Sequence, residues 1–154
     1  MLNQEVDALK RIKLFSNIDP SKLKLLAFAS ERVVYEPGRV LFREGDRADA
    51  AYLVLEGSAD VIISSPKGPV TVSTIEKDSF VGEVAVLCDV PRTATVTAVK
   101  RVDALKIRKD VFFQLLNDVP SMAIEVMREL AERLDATNDR LLAANVRLRE
   151  AGLY

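Results

Sequence analysis

Histidine is missing from this 154-residue chain, and cysteine occurs once, as Cys88. Without histidine there is no Ser-His-Asp or Cys-His nucleophile system and no imidazole base that titrates near neutral pH. A single cysteine excludes a disulfide within the chain and a zinc site built from cysteine and histidine. We therefore expect no metal, since only a hard ion held by carboxylates would fit this composition. An enzyme would have to work through Asp, Glu, Lys or Arg side chains.

The chain also lacks an excess of one charge sign. It has 22 Lys and Arg against 23 Asp and Glu, and both halves are balanced. A nucleic-acid binder usually has a basic face or arm. The nearest candidate is the basic stretch from Lys100 to Lys109 around Asp103, which is more typical of a solvated pair of strands with its turn. We expect no direct DNA binding by this chain.

Long apolar runs are absent as well. No run of 18 apolar residues occurs, and charges are spread through the first fifteen residues, where a signal peptide would be apolar. The sequence therefore predicts a cytoplasmic protein without a membrane partner.

Glycine and proline are concentrated in the middle of the chain, roughly residues 31–107. Between them lie short β-branched runs with turn signals every 8–12 residues or so, which indicates an antiparallel barrel or sandwich. The run from Thr93 to Val99 alternates threonine with alanine or valine, as expected for a strand with one wet and one dry face.

Both flanks predict helices, so we expect one domain over residues 1–154. A helical lead-in covers 1–30, the β region 31–107 and C-terminal helices 109–150. Asp19 followed by Pro20 is typical of a helix start. A short helix is predicted around Val111, and a long one from Pro120 to about Glu150.

The long helix carries an apolar side chain at every seventh position: Met127, Leu134, Leu141 and Leu148. Such a row favours pairing with a second copy, so we expect a homodimer through this helix. The alternative is a helix that lies on its own domain for its first half and frays after Asn145.

The segment from Phe80 to Val96 carries the chemistry. It predicts a strand end, Gly82, a short helical turn, a loop closed by Pro91 and another strand. Amides at a helix start bind anions, and the fork of Arg92 can hold a phosphate at two points. Glu83 makes sense beside an anion if it accepts hydrogen bonds from a neutral hydroxyl, such as that of a sugar. Together these groups describe a nucleotide site.

Each of these residues also has an ordinary interpretation. Glu83 is typical of a first helical turn, where it complements the helix dipole. Arg92 is typical of a solvent-facing residue after a loop proline, and Gly82 of a turn.

The same segment resembles the phosphate-binding cassette of cyclic nucleotide-binding domains. The family pattern is Gly-Glu-x-Ala, a short loop, then Arg-Thr/Ala/Ser-Ala-x-Val. The chain follows it at Gly82, Glu83, Ala85, Arg92, Thr93, Ala94 and Val96. A looser match runs from Leu41 to Gly57, where Phe42 and Ala51 replace apolar residues of other sizes. The resemblance covers about residues 10–145 and implies a mainly β fold: an eight-stranded antiparallel jelly-roll barrel with flanking helices and a long C-terminal helix.

By that resemblance, Glu83 accepts the ribose 2′-hydroxyl and Arg92 neutralises the cyclic phosphate. The rest of the pocket is implied to come from Gly82, Val84, Ala85, Thr93 and Ala94. The ligand is cAMP or cGMP. We expect cAMP, although the Thr93 hydroxyl could reach a guanine amino group and leaves the purine preference open.

The long helix resembles that of bacterial cyclic AMP receptor-type regulators. Their Ala-x-Arg-Leu-x-x-Thr-Ser places two hydroxyls on the adenine, one from each subunit. Here the segment runs from Ala131 to Asn138, with Thr137 retained and Asn138 in place of serine. Both residues are candidate base contacts. Their ordinary interpretation is as polar residues on a helix surface.

The sequence therefore predicts a cyclic nucleotide sensor that is not an enzyme, with binding coupled to the position of the long helix. The chain stops about 16 residues after Asn138, so no helix-turn-helix is expected in it and its downstream effector is open. Two alternatives remain: a jelly-roll enzyme, which usually needs interior histidines, and an interaction module that has lost its ligand.

Overall fold

Turn residues divide the middle of the chain into short and long strands, as the spacing of glycine and proline predicted. The computed structural model describes residues 2–152, including all their side chains except those of Leu2 and Lys13. Within that range there are six strands: β1 Glu31–Tyr35, β2 Val40–Phe42, β3 Ala50–Ser65, β4 Gly68–Ile75, β5 Phe80–Val81 and β6 Thr95–Arg108.

The strands form one antiparallel sheet with the order β1-β6-β3-β4, while β2 pairs with β6 and β5 with β3. The antiparallel jelly-roll class with flanking helices and a long C-terminal helix is confirmed. The closed barrel is not, because β1 and β4 stay unpaired with each other at the two edges among the described residues. The resemblance implied eight strands, whereas residues 2–152 form six.

The two long strands explain the smaller number. The register between β3 and β6 shifts near Gly57, whose φ of +99° and close approach to the Arg101 carbonyl leave no room for a side chain. One half of β6 pairs with β2 and the other half with β1. Each long strand therefore occupies the place of two shorter ones.

Helices form both flanks of the sheet and one short segment between β5 and β6. The Asp19 carboxylate accepts a hydrogen bond from the Ser21 backbone N–H at 3.0 Å, which caps the second helix as predicted. The predicted helices after Pro20, around Val111 and from Pro120 are confirmed. The bounds are α1 Leu2–Arg11, α2 Pro20–Ala29, α3 Glu83–Cys88, α4 Lys109–Asp118 and α5 Pro120–Glu150, with a 3₁₀ turn at Lys13–Phe15.

Successive side chains of a strand point to opposite faces of the sheet, and apolar side chains on both faces form two cores. Leu53 and Leu55 belong to one core, together with Phe112 of α4 and Met122 of α5. Val54, between them, belongs to the other core. The flanking helices therefore pack on one face, and α3 packs separately against Ala48 through Ala85 and Val86.

Helix α5 leaves the body of the domain after its first turns. Met122 and Val126 are buried, whereas Leu134 and Leu141 are 61% and 60% exposed. The helix continues unbroken to Glu150, so the alternative of fraying after Asn145 is wrong. Arg133 lies where α5 passes the beginning of α3, which brings the long helix to the site described next.

Candidate functional site

Gly82 shapes the entry to α3. It follows β5 directly and has a φ of 80°, in the left-handed region that favours glycine. A Cβ on Gly82 would lie 2.5 Å from Nη1 of Arg92 and 3.3 Å from Cε2 of Phe42. Glycine therefore serves both the turn and the close approach of these two side chains.

Arg92 is a buried cation, 3% exposed. Its Nη1 donates to the Gly82 carbonyl at 2.8 Å, and its Nη2 donates to the Ala50 carbonyl. Its Nε is buried and has no hydrogen-bond partner among the described residues. Burial lowers the pKa of the guanidinium, against the attraction of nearby acidic groups. The arginine thus has one nitrogen, Nε, that makes no hydrogen bond in a place where water does not reach it.

Glu83 is a buried carboxylate, 7% exposed, at the first position of α3. Its Oε1 accepts a hydrogen bond from Nη1 of Arg133 at 2.7 Å, across 50 residues of sequence. This hydrogen bond raises the pKa of Arg133. No second hydrogen bond to Glu83 is present within residues 2–152, so its other oxygen can accept from a ligand.

Sequence reasoning missed Arg133 as a site residue. The residue stands inside the segment compared with the receptor-type regulators, four residues before Thr137 and so on the same face of α5. Its pairing with Glu83 depends on how α5 packs against the sheet, which local spacing does not reveal.

A cavity of about 230 Å³ opens between these groups. One part of its wall is polar, with Glu83, Arg92 and Arg133, and another part is apolar, with Phe42 and Val61. All seven residues predicted for the pocket line it: Gly82, Glu83, Val84, Ala85, Arg92, Thr93 and Ala94. Such a combination of an apolar wall with a few convergent polar groups is typical of small-molecule sites.

A second cavity, of about 340 Å³, adjoins the first below α5. Glu83, Arg133 and Phe80 line both cavities. The Glu83–Arg133 ion pair therefore lies on the boundary between the pocket and the space under the long helix.

The two candidate base contacts lie apart from the pocket within one protomer. Thr137 and Asn138 are exposed on α5, and neither lines the 230 Å³ cavity. The Thr137 hydroxyl donates to the Arg133 carbonyl of its own helix at 2.9 Å. Their role stays a prediction that concerns a second subunit.

The part of the chain that the structure describes has neither a cluster of metal-binding side chains nor a membrane-spanning helix. Over residues 2–152, no group of three or more Cys, Asp or Glu side chains could hold a metal ion. In the same range no helix has the length and apolar character needed to cross a membrane.

The cyclic nucleotide-binding domain model matches residues 32–119, which include the sheet, the cassette and α4. The chain belongs to the cyclic nucleotide-binding domain family. The resemblance carried by Gly82 to Val96 is thereby confirmed.

Two of the similar curated proteins are regulatory proteins. The chain is 38% identical over 111 residues to a cAMP-dependent protein kinase regulatory subunit of Yarrowia lipolytica, covering 72% of this chain and 29% of that protein. It is 28% identical over 137 residues to a CRP-like cAMP-activated global transcriptional regulator of Mycobacterium tuberculosis, covering 88% and 61%. The chain thus spans less than two thirds of each of these relatives.

A solved structure has the same architecture. The N-terminal domain of a transcriptional regulator from Streptomyces coelicolor superposes with a TM-score of 0.73 at 33% identity, covering 86% of this chain and 96% of that one. The chain therefore has the fold of the cyclic nucleotide-binding domain family.

Proposed function

We propose that this domain senses cAMP in preference to cGMP and passes the binding event to α5. The observation that carries the proposal is the buried guanidinium of Arg92, which lines the cavity and whose Nε has no hydrogen-bond partner among the described residues. No ion pair joins Arg92 to a carboxylate within the described residues. A cyclic phosphate in the cavity would supply both a negative charge to pair with Arg92 and hydrogen-bond acceptors for its N–H groups.

The ribose completes the recognition. Glu83 uses one carboxylate oxygen for Arg133 and keeps the other for the 2′-hydroxyl. The base then extends toward the apolar side of the cavity. Thr93, which also lines it, is the residue through which cGMP would be accommodated.

Binding reaches α5 through Glu83, since this carboxylate contacts the pocket on one side and Arg133 on the other. A ligand shifts a conformational equilibrium only if it binds the two states differently. The ribose changes the hydrogen bonding of Glu83, and the strength of its pair with Arg133 changes with it. We infer that this pair sets the position of the long helix.

The exposed apolar row on α5 fits a second copy of the chain. Met127, Leu134, Leu141 and Leu148 are 62%, 61%, 60% and 39% exposed, at the spacing of a helix pair. In such a dimer Thr137 and Asn138 become available to the partner's pocket. The cytoplasmic location and the absence of direct DNA binding stay predictions from the sequence, and the downstream effector stays open.

We propose that the site binds and does not catalyse. Its one buried carboxylate, Glu83, is paired with Arg133 and is therefore held as an acceptor for a hydroxyl. Prolonged incubation with cAMP should leave the nucleotide unchanged, as measured by chromatography. Conversion to AMP would favour the enzyme alternative.

Titration calorimetry of the parent and of Arg92→Ala with cAMP and with cGMP tests the binding proposal. Removing one partner of a buried charge interaction typically costs about 3–5 kcal/mol. We therefore expect cAMP affinity to fall at least about a hundredfold, by the relation of about 1.4 kcal/mol per tenfold. Arg101→Ala is the control, because Arg101 is 62% exposed and pairs with Glu36 away from the pocket. Equal affinity of Arg92→Ala and parent would exclude this pocket.

A further inference from the structure

The aromatic ring of Phe42 lies against the guanidinium of Arg92. The central carbon of the guanidinium is 4.0 Å from the ring centroid. Phe42 also lines the cavity, so the contact lies within its wall. A cation over the face of an aromatic ring is attracted by the electron density of the ring, and the attraction is strongest where water is excluded.

The contact with Phe42 stabilises a charge that few other groups in the protein stabilise. Its charge is buried without a paired carboxylate in the described part of the chain, and two backbone carbonyls accept from its terminal nitrogens. Those carbonyls hold the two terminal nitrogens of the guanidinium, and its central carbon lies over the ring of Phe42. Three contacts in different directions restrict the plane to one orientation.

Phe42 is itself held in place. Its ring stacks on that of Tyr52, with centroids 5.9 Å apart and planes inclined by 28°. Tyr52 is 3% exposed and meets Tyr35 edge to face at 6.4 Å. The ring that supports Arg92 therefore belongs to an aromatic cluster in the core and does not turn freely.

We propose that Phe42 is a positioning residue for anion binding: its ring holds the Arg92 guanidinium in place at the wall of the cavity that takes the anion. The affinity effect rests on the proposed function, in which Arg92 binds the phosphate. The contact matters because an arginine already restricted in the empty pocket loses less side-chain freedom when the ligand arrives.

Fluorinated phenylalanines at position 42 separate this role from simple packing. Successive fluorination withdraws electron density from the ring face while the shape stays nearly constant. We expect cAMP affinity, measured by calorimetry, to fall stepwise from phenylalanine to pentafluorophenylalanine, by about tenfold over the series, since the contact is desolvated. If the pentafluoro protein does not fold, the mono- and difluoro proteins still define the slope.

Phe15 is the matched control, because it is fully buried and its ring meets Phe80 rather than an arginine. The same fluorination series at Phe15 should leave cAMP affinity unchanged. A flat series at position 42, or an equal decline at both positions, would overturn the positioning role while leaving the cAMP proposal intact.

A readout without ligand keeps the two proposals distinguishable. In nitrogen-15 spectra of the empty domain, a guanidinium restricted by Phe42 gives separate, slowly exchanging Arg92 side-chain N–H signals. In the pentafluoro or difluoro protein these signals should broaden and merge. Unchanged signals would reject the positioning role. If fluorination loosens Arg92 in the empty domain but the parent binds neither nucleotide, the proposed function fails and the restriction of Arg92 by Phe42 stands.

Discussion

Two constraints require glycine at position 82: its left-handed backbone conformation and its close contact with Arg92. For Gly82→Ala we expect a stability loss of about 1–2 kcal/mol from the backbone alone. We also expect cAMP affinity to fall about tenfold or more, because the new Cβ displaces the Arg92 guanidinium from the Gly82 carbonyl. Urea unfolding and calorimetry measure the two effects.

Gly38→Ala is the control for that substitution. Gly38 has a φ of +88°, and a Cβ there meets nothing within 4 Å. It should therefore lose similar stability and keep its affinity for cAMP. If both variants bind alike, the contact between Gly82 and Arg92 has no part in recognition.

Arg133 supplies a second test at the level of single residues. Arg133→Ala leaves Glu83 buried without its cation, so we expect lower stability and weaker cAMP binding. At saturating cAMP, the ligand-dependent change in hydrogen exchange over residues 125–145 should disappear, since the link between pocket and helix is lost.

The matching control lies on the same helix. Arg128 is 58% exposed and pairs with Glu125 of α5 itself. Arg128→Ala should therefore keep the ligand-dependent exchange of the parent. A parental response in Arg133→Ala would show that helix position is governed elsewhere.

How far the sequence predicts the site depends on distance along the chain. Gly82 to Ala94 are neighbours in sequence, so a local pattern sufficed to place them in one pocket. Phe42 and Arg133 reach the same cavity from β2 and α5. Their positions follow from strand pairing and helix packing, which one sequence does not disclose.

At the level of elements, α5 makes a sharp prediction. Leu141→Lys should dissociate the proposed dimer, because each dimer would lose two apolar side chains from the contact. Burial of one leucine is worth about 1.5–3 kcal/mol, so we expect the dimer dissociation constant to rise about a hundredfold or more. Sedimentation equilibrium measures the change.

Leu142 offers a control of nearly equal exposure, 64% against 60% for Leu141, outside the seven-residue row. Leu142→Lys should leave the dimer unchanged. Dissociation of the dimer in both variants would indicate a contact through another face of α5. A monomeric parent would refute the dimer.

Helix positions were predictable because their signals are local, as Asp19 and Pro20 show for α2. Closure of the sheet was not. Whether β1 meets β4 depends on the bends of β3 and β6, and the sequence marks only one of these bends, by Gly57. The spacing of turn residues left a barrel and a sandwich open, and the expectation of an eight-stranded barrel came from the family resemblance.

For the whole molecule, one ion-pair network joins the N-terminal helix to the sheet. Arg32 of β1 holds Asp103 of β6 at 2.6 and 2.7 Å and Glu5 of α1 at 3.2 Å. The hydrogen bond from Arg32 lowers the pKa of Asp103 below its usual 3.8. A carboxyl group whose pKa is lower in the folded than in the unfolded protein stabilises the fold at pH values above its unfolded-state pKa. This contribution is lost as the pH falls through the pKa of the folded state.

We therefore expect the free energy of unfolding to fall as the pH drops below about 4. Asp103→Asn should be less stable than the parent at pH 7, and the difference should shrink at pH 3. Urea unfolding at both pH values measures this. Glu36→Gln, which removes an exposed pair with Arg101, should matter little at pH 7. A constant gap between Asp103→Asn and parent would reject the network as the cause.

The unbroken course of α5 makes it a lever. Its 31 residues extend about 46 Å at 1.5 Å per residue, and the segment from Arg133 to Glu150 accounts for about 25 Å of that. A tilt of about 5° at Arg133 would move the far end by about 2 Å over that length. A small shift of Glu83, which the packed core can accommodate, thus becomes a larger displacement at the far end of α5. That end carries the exposed leucines.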